Sequence, residues 1–192
     1  FLWIDLCLRK GSQPNEDDQK KIMMLEKKVQ SFIRTCRFPR LEYVSPLEII
    51  EGVAKEFEGS NVVRFTTENF SEKEEIMVDL LRIKDCIENL IFNARDAILD
   101  KNKKIGKTDD RDFIHVRLIK EDRGFSISCE DAGKGMSPGE VEAYIQGKTS
   151  GLGLRGIHRT VKNHNGEISL VSKQGEGTKV KILFKLSEER YD

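Results

Sequence analysis

The 192-residue sequence lacks a surplus of charge of either sign, because 33 basic residues balance 33 acidic residues. This balance argues against a protein that binds nucleic acid or anionic membranes through a generally basic surface. The sequence also lacks any apolar run near the roughly 18 residues of a membrane span, and it shows no signal peptide. We therefore expect a cytoplasmic location, no nucleic-acid partner and no membrane contact within these residues.

Cysteine is scarce, and its spacing excludes two common uses. The four cysteines have no paired metal-ligand spacing and lie in apolar stretches: Cys7, Cys36, Cys86 and Cys129. They are typical of reduced core thiols in a cytosolic protein rather than of a disulfide framework. The sequence starts at Phe1, without Met and in the middle of an apolar pattern, and we expect a fragment of a longer chain.

The length and a hydrophobic content of 38% suit one domain with a small appendage. Residues 1–40 predict a helical dimerisation hairpin, truncated at its N-terminus, with a seam of apolar residues at spacings of three and four. The seam residues are Ile22, Leu25, Val29, Phe32 and Cys36. Residues 41–192 predict an α+β fold, a two-layer α/β sandwich with a mixed sheet and helices on one face.

The elements of residues 41–192 follow from local signals. The capping box at Ser45 begins a helix that reaches about Phe57, and Asp79 caps a long helix that ends near Asp100. Residues 100–112 have almost no apolar side chain and predict an exposed loop. Further helices are expected at about 137–145 and up to 163. Strands are expected at 61–67, 75–79, 113–120, 124–130, 167–172 and 178–186.

The long helix carries a polar stripe, since Asn89, Asn93, Asp96 and Asp100 lie at spacings of four, three and four. A solvent-facing stripe is the commoner explanation. However, Asn is a weak helix former, and two in mid-helix need a reason. Amide and carboxylate oxygens on adjacent turns suit Mg²⁺ that also holds phosphate. The stripe alone leaves both interpretations open.

Three later segments are individually ambiguous. The segment Glu130–Met136 (EDAGKGM) follows a strand, and its acid could accept from an exocyclic amine, but taken alone an ordinary Asp-Gly turn is the better explanation. The segment Gly147–Gly156 (GKTSGLGLRG) enters a helix and offers backbone N–H groups to phosphate. Parts of it match a P-loop and a dinucleotide-binding fingerprint, but the flanking residues do not fit either motif. The segment 175–178 (GEGT) alone is a hairpin turn.

The order and spacing of these four segments are more specific evidence of function than any one segment is. They resemble the N-box, the Asp-x-Gly-x-Gly box, the Gly-x-Gly-Leu box and the Gly-x-Gly-Thr box of the Bergerat-type (GHKL) ATP site. DNA gyrase, the MutL repair proteins, a heat-shock chaperone and the sensor histidine kinases share that site. The resemblance covers about residues 45–186 and is closest to histidine kinases, because residues 38–42 (FPRLE) before the Ser45 cap resemble their passage from dimerisation hairpin to catalytic domain.

The resemblance implies bound ATP and Mg²⁺, with Asn93 as the metal ligand and Asp131 as the acceptor of the adenine amine. Asn89 stands where hydrolysing members carry a glutamate base, and a neutral amide there favours phosphoryl transfer over hydrolysis. The full set of implied nucleotide-binding residues is Asn89, Asn93, Asp96, Asp131, Gly133, Gly135, Lys148, Thr149, Ser150, Gly151, Leu152, Gly153, Leu154 and Thr178.

The sequence departs from the kinase pattern in two places. Its lid, residues 136–150, is short and has no Phe-rich segment; Tyr144 and Ile145 are the nearest counterparts. No histidine lies on the predicted hairpin, and His115, His158 and His164 are expected to be surface or packing residues. In the family register, residues 1–4 (FLWI) resemble the segment just downstream of the phosphoacceptor histidine, which we expect a few residues before Phe1.

The leading hypothesis is therefore the kinase core of a cytosolic or membrane-tethered sensor histidine kinase. It implies a homodimer through Ile22, Leu25, Val29 and Phe32, and phosphate transfer to the aspartate of a response-regulator receiver domain. Two alternatives remain. One is an anti-sigma-type serine kinase of the same fold, which lacks the hairpin; the other is a non-catalytic module whose lid closes on ATP and alters a partner surface.

Overall fold

The computed structural model describes residues 38–69, 75–106, 112–122, 124–148 and 152–185, together with Leu25, Glu26, Val29 and Ile33. The chain divides into two compact units, Phe1–Arg37 and Phe38–Asp192. In the first unit, the four described residues have helical backbone, and Leu25 and Val29 of the predicted seam are 59% and 55% exposed in the single chain. Ile22, Phe32 and Cys36 lie outside the described residues, as does Cys7.

The second unit contains a five-stranded mixed sheet and a separate two-stranded one. The strands are β1 Glu42–Val44, β2 Val63–Glu68, β3 Ile76–Val78, β4 Ile114–Glu121, β5 Gly124–Asp131, β6 Glu167–Lys173 and β7 Gly177–Lys185. The large sheet has the order β2-β4-β5-β7-β6, in which β2 runs parallel to β4 and the other neighbours are antiparallel. Strands β1 and β3 pair antiparallel.

Four helices accompany the sheet: α1 Pro46–Glu56, α2 Leu80–Ile105, α3 Pro138–Ile145 and α4 Leu152–Asn163. Their N-termini lie where the sequence predicts them. Ser45 accepts from the Leu47 N–H at 3.3 Å, Asp79 accepts from the Arg82 N–H at 3.2 Å, and Ser137 forms a capping box with Glu140. Within the described ranges, no helix combines the length and the apolar character that a membrane span requires.

The core lies between the helices and one face of the sheet. Alternate residues of β4 and most alternate residues of β7 are buried, and every residue of the central strand β5 except Glu130 is buried. The apolar face of α2 packs against the sheet, with Ile83, Ile87 and Ile91 at most 1% exposed. Cys86 and Cys129 belong to this core as free thiols, as predicted. The opposite sheet face carries ion pairs, among them Arg117–Glu130 and Lys181–Glu121 at 3.2 and 2.7 Å. The predicted two-layer α/β fold class is confirmed.

Two element predictions were wrong or incomplete. Helix α2 does not end near Asp100 but continues to Ile105, so residues 101–105 of the predicted loop are helical. Gly106 ends the helix in the left-handed region, with φ 71°, and its N–H donates to the Asn102 carbonyl at 2.9 Å. Lys103 and Lys104 suit the negative end of the helix dipole. Strand β1, Glu42–Val44, was not predicted.

Candidate functional site

A cavity of about 500 Å³ opens between α2, the ends of β5 and β7, and α3. Its walls are mainly apolar, and its polar groups come from four separate parts of the chain. Two predicted site residues of α2, Asn93 and Asp96, line it together with Asp131, Gly135, Lys148, Leu154 and Thr178. The fold therefore brings all four predicted sequence boxes, or the elements next to them, to one place.

Helix α2 supplies one wall of the cavity between Leu90 and Asp100. Asn93 and Asp96 are exposed on the cavity side, where their oxygens can reach a ligand. Asn89 is half-buried and does not line the cavity, although its neighbour Leu90 does. Three of the four residues of the predicted stripe thus face the site.

Asp131 ends β5 and places its carboxyl group deep in the cavity. It is 7% exposed, and its Oδ1 accepts from the Gly133 N–H at 2.8 Å. Burial raises the pKa of Asp131 to about 6, although the backbone N–H groups of Gly133 and Thr178 and the charge of Lys101 partly oppose that shift. The ionised Asp131 carboxylate is a buried acceptor, and any further N–H donor would stabilise it.

The loop after Asp131 is fixed between α2 and the β6–β7 hairpin. The Lys134 N–H donates to the Ala97 carbonyl at 3.1 Å, and the Lys134 carbonyl accepts from the Gly175 N–H at 2.7 Å. Gly135 has φ 63°, and a Cβ there would lie 1.9 Å from the Lys173 carbonyl oxygen. Only glycine fits this position without moving the hairpin.

Thr178 lies opposite Asp131 in the β5–β7 register and is 7% exposed. Its hydroxyl shares a 2.8 Å hydrogen bond with Ser172 Oγ, which also donates to the Gly177 carbonyl at 3.0 Å and accepts from the Met136 N–H at 2.9 Å. Ser172 therefore ties the hairpin to the glycine loop. The sequence did not reveal it, because an isolated Ser in an alternating strand carries no signal.

Within the lid, the end of α3 has a defined geometry. Gly147 has φ 66°, its N–H donates to the Tyr144 carbonyl at 3.0 Å, and the Lys148 N–H donates to the Ala143 carbonyl at 2.9 Å. This Schellman motif ends α3 and holds Lys148 against the cavity. Thr149, Ser150 and Gly151 lie outside the described residues. Leu152 and Gly153 form the backbone of the first turn of α4, and Leu154 lines the cavity.

Three residues at the cavity were not predicted to bind the nucleotide: Lys134, Asp100 and Tyr144. Lys134 and Asp100 form an ion pair at 2.8 Å on the rim, which lowers the pKa of Asp100 and raises that of Lys134. Tyr144 lines the floor, is 2% exposed and has a hydroxyl without a hydrogen-bond partner among the described residues. The sequence signal for this ion pair was the position of Asp100 in the polar stripe of the long helix.

The donor set fits a magnesium ion held partly by a ligand. In the described part of the chain, no three His, Cys, Asp or Glu side chains group closely enough to hold a metal by themselves. The exposed Asn93 amide on the cavity wall offers one oxygen. Mg²⁺ commonly takes one or two protein oxygens and completes its shell with water and phosphate.

An apolar cavity with a carboxylate at its floor and amide and lysine groups at its rim suits a ligand that is flat and apolar at one end and anionic at the other. Nucleotides have this form, so the domain belongs to the class of two-layer α/β nucleotide-binding domains. More particularly, the chain belongs to the family of histidine kinase-, DNA gyrase B-, and HSP90-like ATPases, whose model matches residues 78–188. The domain is accordingly an ATP-binding one.

Curated relatives carry histidine-kinase names. A putative sensor histidine kinase NtrY-like of Rickettsia prowazekii (strain Madrid E) is 27% identical over 172 residues, covering 83% of this chain and 27% of that protein. The sensor histidine kinase ZraS of Escherichia coli (strain K12) is 27% identical over 124 residues, covering 62% and 24%. The chain thus spans about a quarter of the length of these relatives.

Solved structures share the fold. The catalytic domain of histidine kinase ThkA superposes with a TM-score of 0.60 at 20% identity, covering 77% of this chain and 96% of that chain. The histidine kinase AdeS of Acinetobacter baumannii gives 0.61 at 16% identity, covering 95% and 91%. The predicted resemblance to the catalytic ATP-binding domain of sensor histidine kinases is confirmed.

Proposed function

We propose that this chain is the kinase core of a two-component sensor histidine kinase, which transfers the γ-phosphate of ATP to a histidine and thence to an aspartate of a response-regulator receiver domain. The observation that carries this proposal is the cavity that joins Asp131, Thr178 and Asn93 from three separate sequence boxes. A homodimer through Ile22, Leu25, Val29 and Phe32, and a cytoplasmic location, belong to the same proposal.

The adenine end of ATP is assigned to the floor of the cavity. The Asp131 carboxylate accepts from the exocyclic amine, and Thr178 completes the pocket behind it. The burial of both residues supports this assignment, because a buried acceptor recognises a donor strongly. Gly133 and Gly135 let the loop backbone approach the base, since neither has room for a side chain.

The phosphate end is assigned to the rim. Asn93 is the proposed Mg²⁺ ligand, and the ion would neutralise charge on the transferring phosphoryl group. Asp96 is proposed to accept from water around the ion. The proposed phosphate contacts are Lys148, Thr149, Ser150, Gly151, Leu152, Gly153 and Leu154; the position of Lys148 and Leu154 on the cavity supports the two ends of this segment.

Transfer is favoured over hydrolysis because Asn89 replaces a general base. An amide cannot take a proton from water, so the rate depends on how the γ-phosphate and an acceptor are oriented. No side chain of this chain is assigned as a nucleophile. The acceptor is proposed to be a histidine other than His115, His158 and His164.

The proposal is tested by phosphorylating the full-length protein that contains this chain with γ-labelled ATP. We expect an acid-labile, base-stable label on a histidine outside residues 1–192, and its transfer to a receiver domain. Asn93→Ala should abolish the Mg²⁺-dependent label in a folded protein. A label on serine would favour the serine-kinase alternative, and tight ATP binding with no label on any protein would favour the ATP-gated module.

A further inference from the structure

A largely buried lysine of α2 contacts the loop that follows Asp131. Lys101 Nζ donates to the Ala132 carbonyl and to Asp112 Oδ1, each at 2.6 Å. The second oxygen of Asp112 accepts from Asn102 Nδ2 at 2.6 Å. The side chains of the ion pair, Lys101 and Asp112, are only 16% and 5% exposed. Lys101 does not line the cavity, so its effect on a bound ligand passes through its neighbours.

The peptide unit between Ala132 and Gly133 connects Lys101 to Asp131. Its carbonyl accepts from Lys101 Nζ, and its N–H, which belongs to Gly133, donates to Asp131 Oδ1 at 2.8 Å. The carbonyl and the N–H point in opposite directions from a trans peptide plane. The ammonium group therefore polarises the amide whose N–H meets the carboxylate, and hydrogen bonds in such a chain strengthen one another.

The loop is held on both flanks of this peptide unit. The Ala132 N–H donates to the Phe113 carbonyl at 3.2 Å, and the Lys134 N–H donates to the Ala97 carbonyl at 3.1 Å. Ala97 and Lys101 lie one turn apart on α2, so two successive turns of one helix face contact the loop. These contacts keep the hydrogen-bonded chain in one geometry.

The charge of Lys101 acts against the effect of burial on Asp131. Burial raises the pKa of Asp131; backbone N–H groups and then the charge of Lys101 oppose that shift, whereas Glu130 beside it on β5 adds to it. The Cys129 thiol keeps its proton, because burial raises its pKa. The other charged side chains of the cavity wall are Asp96, Asp100, Lys134, Glu140 and Lys148. A neutral residue in place of Lys101 should therefore make Asp131 harder to ionise.

We propose that Lys101 is a positioning residue of the ATP site, which acts through the Ala132–Gly133 peptide unit to orient and stabilise the Asp131 carboxylate as the acceptor of the adenine amine. The inference rests on the proposed function. An ionised carboxylate accepts from an amine more strongly than a protonated carboxyl group does. A cation that favours the ionised form thus keeps the site ready to bind ATP at neutral pH.

The first test measures Asp131 itself, without nucleotide. Lys101→Met removes the charge and the donor, and Lys103→Met is the matched control, because Lys103 is exposed on the same helix. The carboxyl carbon of Asp131 is titrated by NMR, and its signal is identified by its loss in Asp131→Asn. We expect Lys101→Met to raise the pKa of Asp131 from about 6 to about 7, and Lys103→Met to leave it unchanged.

The second test separates positioning from a structural role by calorimetry of ATP binding. The phosphates of ATP titrate equally in each protein, so the ratio of dissociation constants reports the state of Asp131. Lys101→Met should bind ATP roughly fivefold more weakly than the unmodified protein at pH 6, and within about twofold at pH 8.5, where Asp131 is ionised in both proteins. A purely structural role predicts the same ratio at both pH values. That result, or an unchanged pKa of Asp131, would overturn the inference.

A double variant keeps the test decisive if Lys101→Met fails to fold. The single change leaves Asp112 without its counter-ion, and loss of one partner of a buried pair destabilises the folded state. Lys101→Met combined with Asp112→Asn removes both charges and should give the same raised pKa and the same pH-dependent ratio. Absence of ATP binding to the unmodified protein would overturn the proposed function, whereas the carboxyl titration would still decide whether Lys101 acts on Asp131.

Discussion

The Asp131 carboxyl group experiences opposing influences. Burial raises its pKa to about 6, whereas two backbone N–H groups and Lys101 favour the ionised form. An exocyclic amine would add a further donor to the carboxylate, so binding of adenine and protonation of Asp131 should compete. The residue is therefore a point at which pH and nucleotide affinity are linked.

We expect ATP affinity to fall about tenfold between pH 7 and pH 5, because a group with a pKa near 6 changes from mostly ionised to mostly protonated over that interval. The stability of the nucleotide-free domain should move the other way. The pKa of Asp131 is higher in the folded state than in the unfolded state. Asp131 therefore increases the free energy of unfolding as the pH falls through about 6. Calorimetry and urea titration at each pH measure the two effects.

Asp131→Asn supplies the control for this prediction, since its amide does not titrate while the phosphates of ATP titrate equally in both proteins. The variant should bind ATP more weakly at neutral pH by on the order of 1–3 kcal/mol, because its amide can present a donor to the amine. Identical pH profiles of affinity in the two proteins would contradict the assignment of Asp131.

At the scale of single residues, sequence patterns predicted residues that line the cavity but not the residues that hold them in position. Asp131, Thr178 and Asn93 carry box motifs and line the cavity. Ser172 carries no motif, because its role arises only when β6, β7 and the glycine loop fold together. Asn89 is the converse case: it fits the helical spacing of the stripe but does not line the cavity.

At the scale of elements, the glycine loop and the β6–β7 hairpin form one unit. Gly135→Ala should destabilise the protein by at least about 2 kcal/mol, because its φ is 63° and a Cβ would lie 1.9 Å from the Lys173 oxygen. Gly139→Ala is the matched control, since Gly139 lies in α3 with open space around its Cα. That change should be neutral or stabilising by up to about 1 kcal/mol.

Denaturant titration of both glycine variants checks this expectation, and calorimetry of ATP binding shows whether the hairpin and the site move together. Gly135→Ala should weaken ATP binding as well as stability, because the displaced hairpin carries Thr178. Equal stability of the two variants would show that the hairpin yields to the added methyl group without loss.

Elements were predictable where local signals stand at their ends. The caps at Ser45 and Asp79 marked two helix starts correctly, and the helix expected at about 137–145 begins after Ser137. The end of α2 was placed too early because residues 101–105 have no apolar face, and their contacts come from elsewhere. Lys101 Nζ donates to Asp112 and to the Ala132 carbonyl, each at 2.6 Å, which are tertiary contacts that periodicity does not contain.

At the scale of the whole molecule, assembly is the first expectation that the helical unit raises. Leu25→Asp combined with Val29→Asp should reduce the sedimenting mass from a dimer to a 22.0 kDa monomer, because both side chains are more than half exposed and belong to the predicted seam. ATP binding should survive. Val171→Asp, at a residue 75% exposed on β6, should leave the dimer intact. An unmodified chain that sediments as a monomer at high concentration would refute the seam.

The last expectation is that residues 1–192 bind ATP but neither hydrolyse it rapidly nor label themselves. The position of the hydrolytic base holds Asn89, whose amide cannot deprotonate water. Each of the three histidines is either hydrogen-bonded or buried. His115 Nδ1 accepts from Arg117 Nε at 3.2 Å and its Nε2 contacts Thr66 Oγ1 at 2.9 Å. His164 Nε2 accepts from the Asp79 N–H at 3.0 Å and its Nδ1 bonds the Thr160 carbonyl at 2.8 Å.

His158 is the remaining candidate for self-labelling, and its Nε2 is buried against Tyr144 without lining the cavity. Incubation of the chain with γ-labelled ATP should therefore give bound nucleotide, no protein label and little ADP. His158→Gln should behave identically in this assay. When the same chain is extended upstream to include a histidine a few residues before Phe1, label should appear on that histidine alone and vanish when it is replaced. Stoichiometric labelling of residues 1–192, or rapid release of ADP, would show that Asn89 or the histidines act differently.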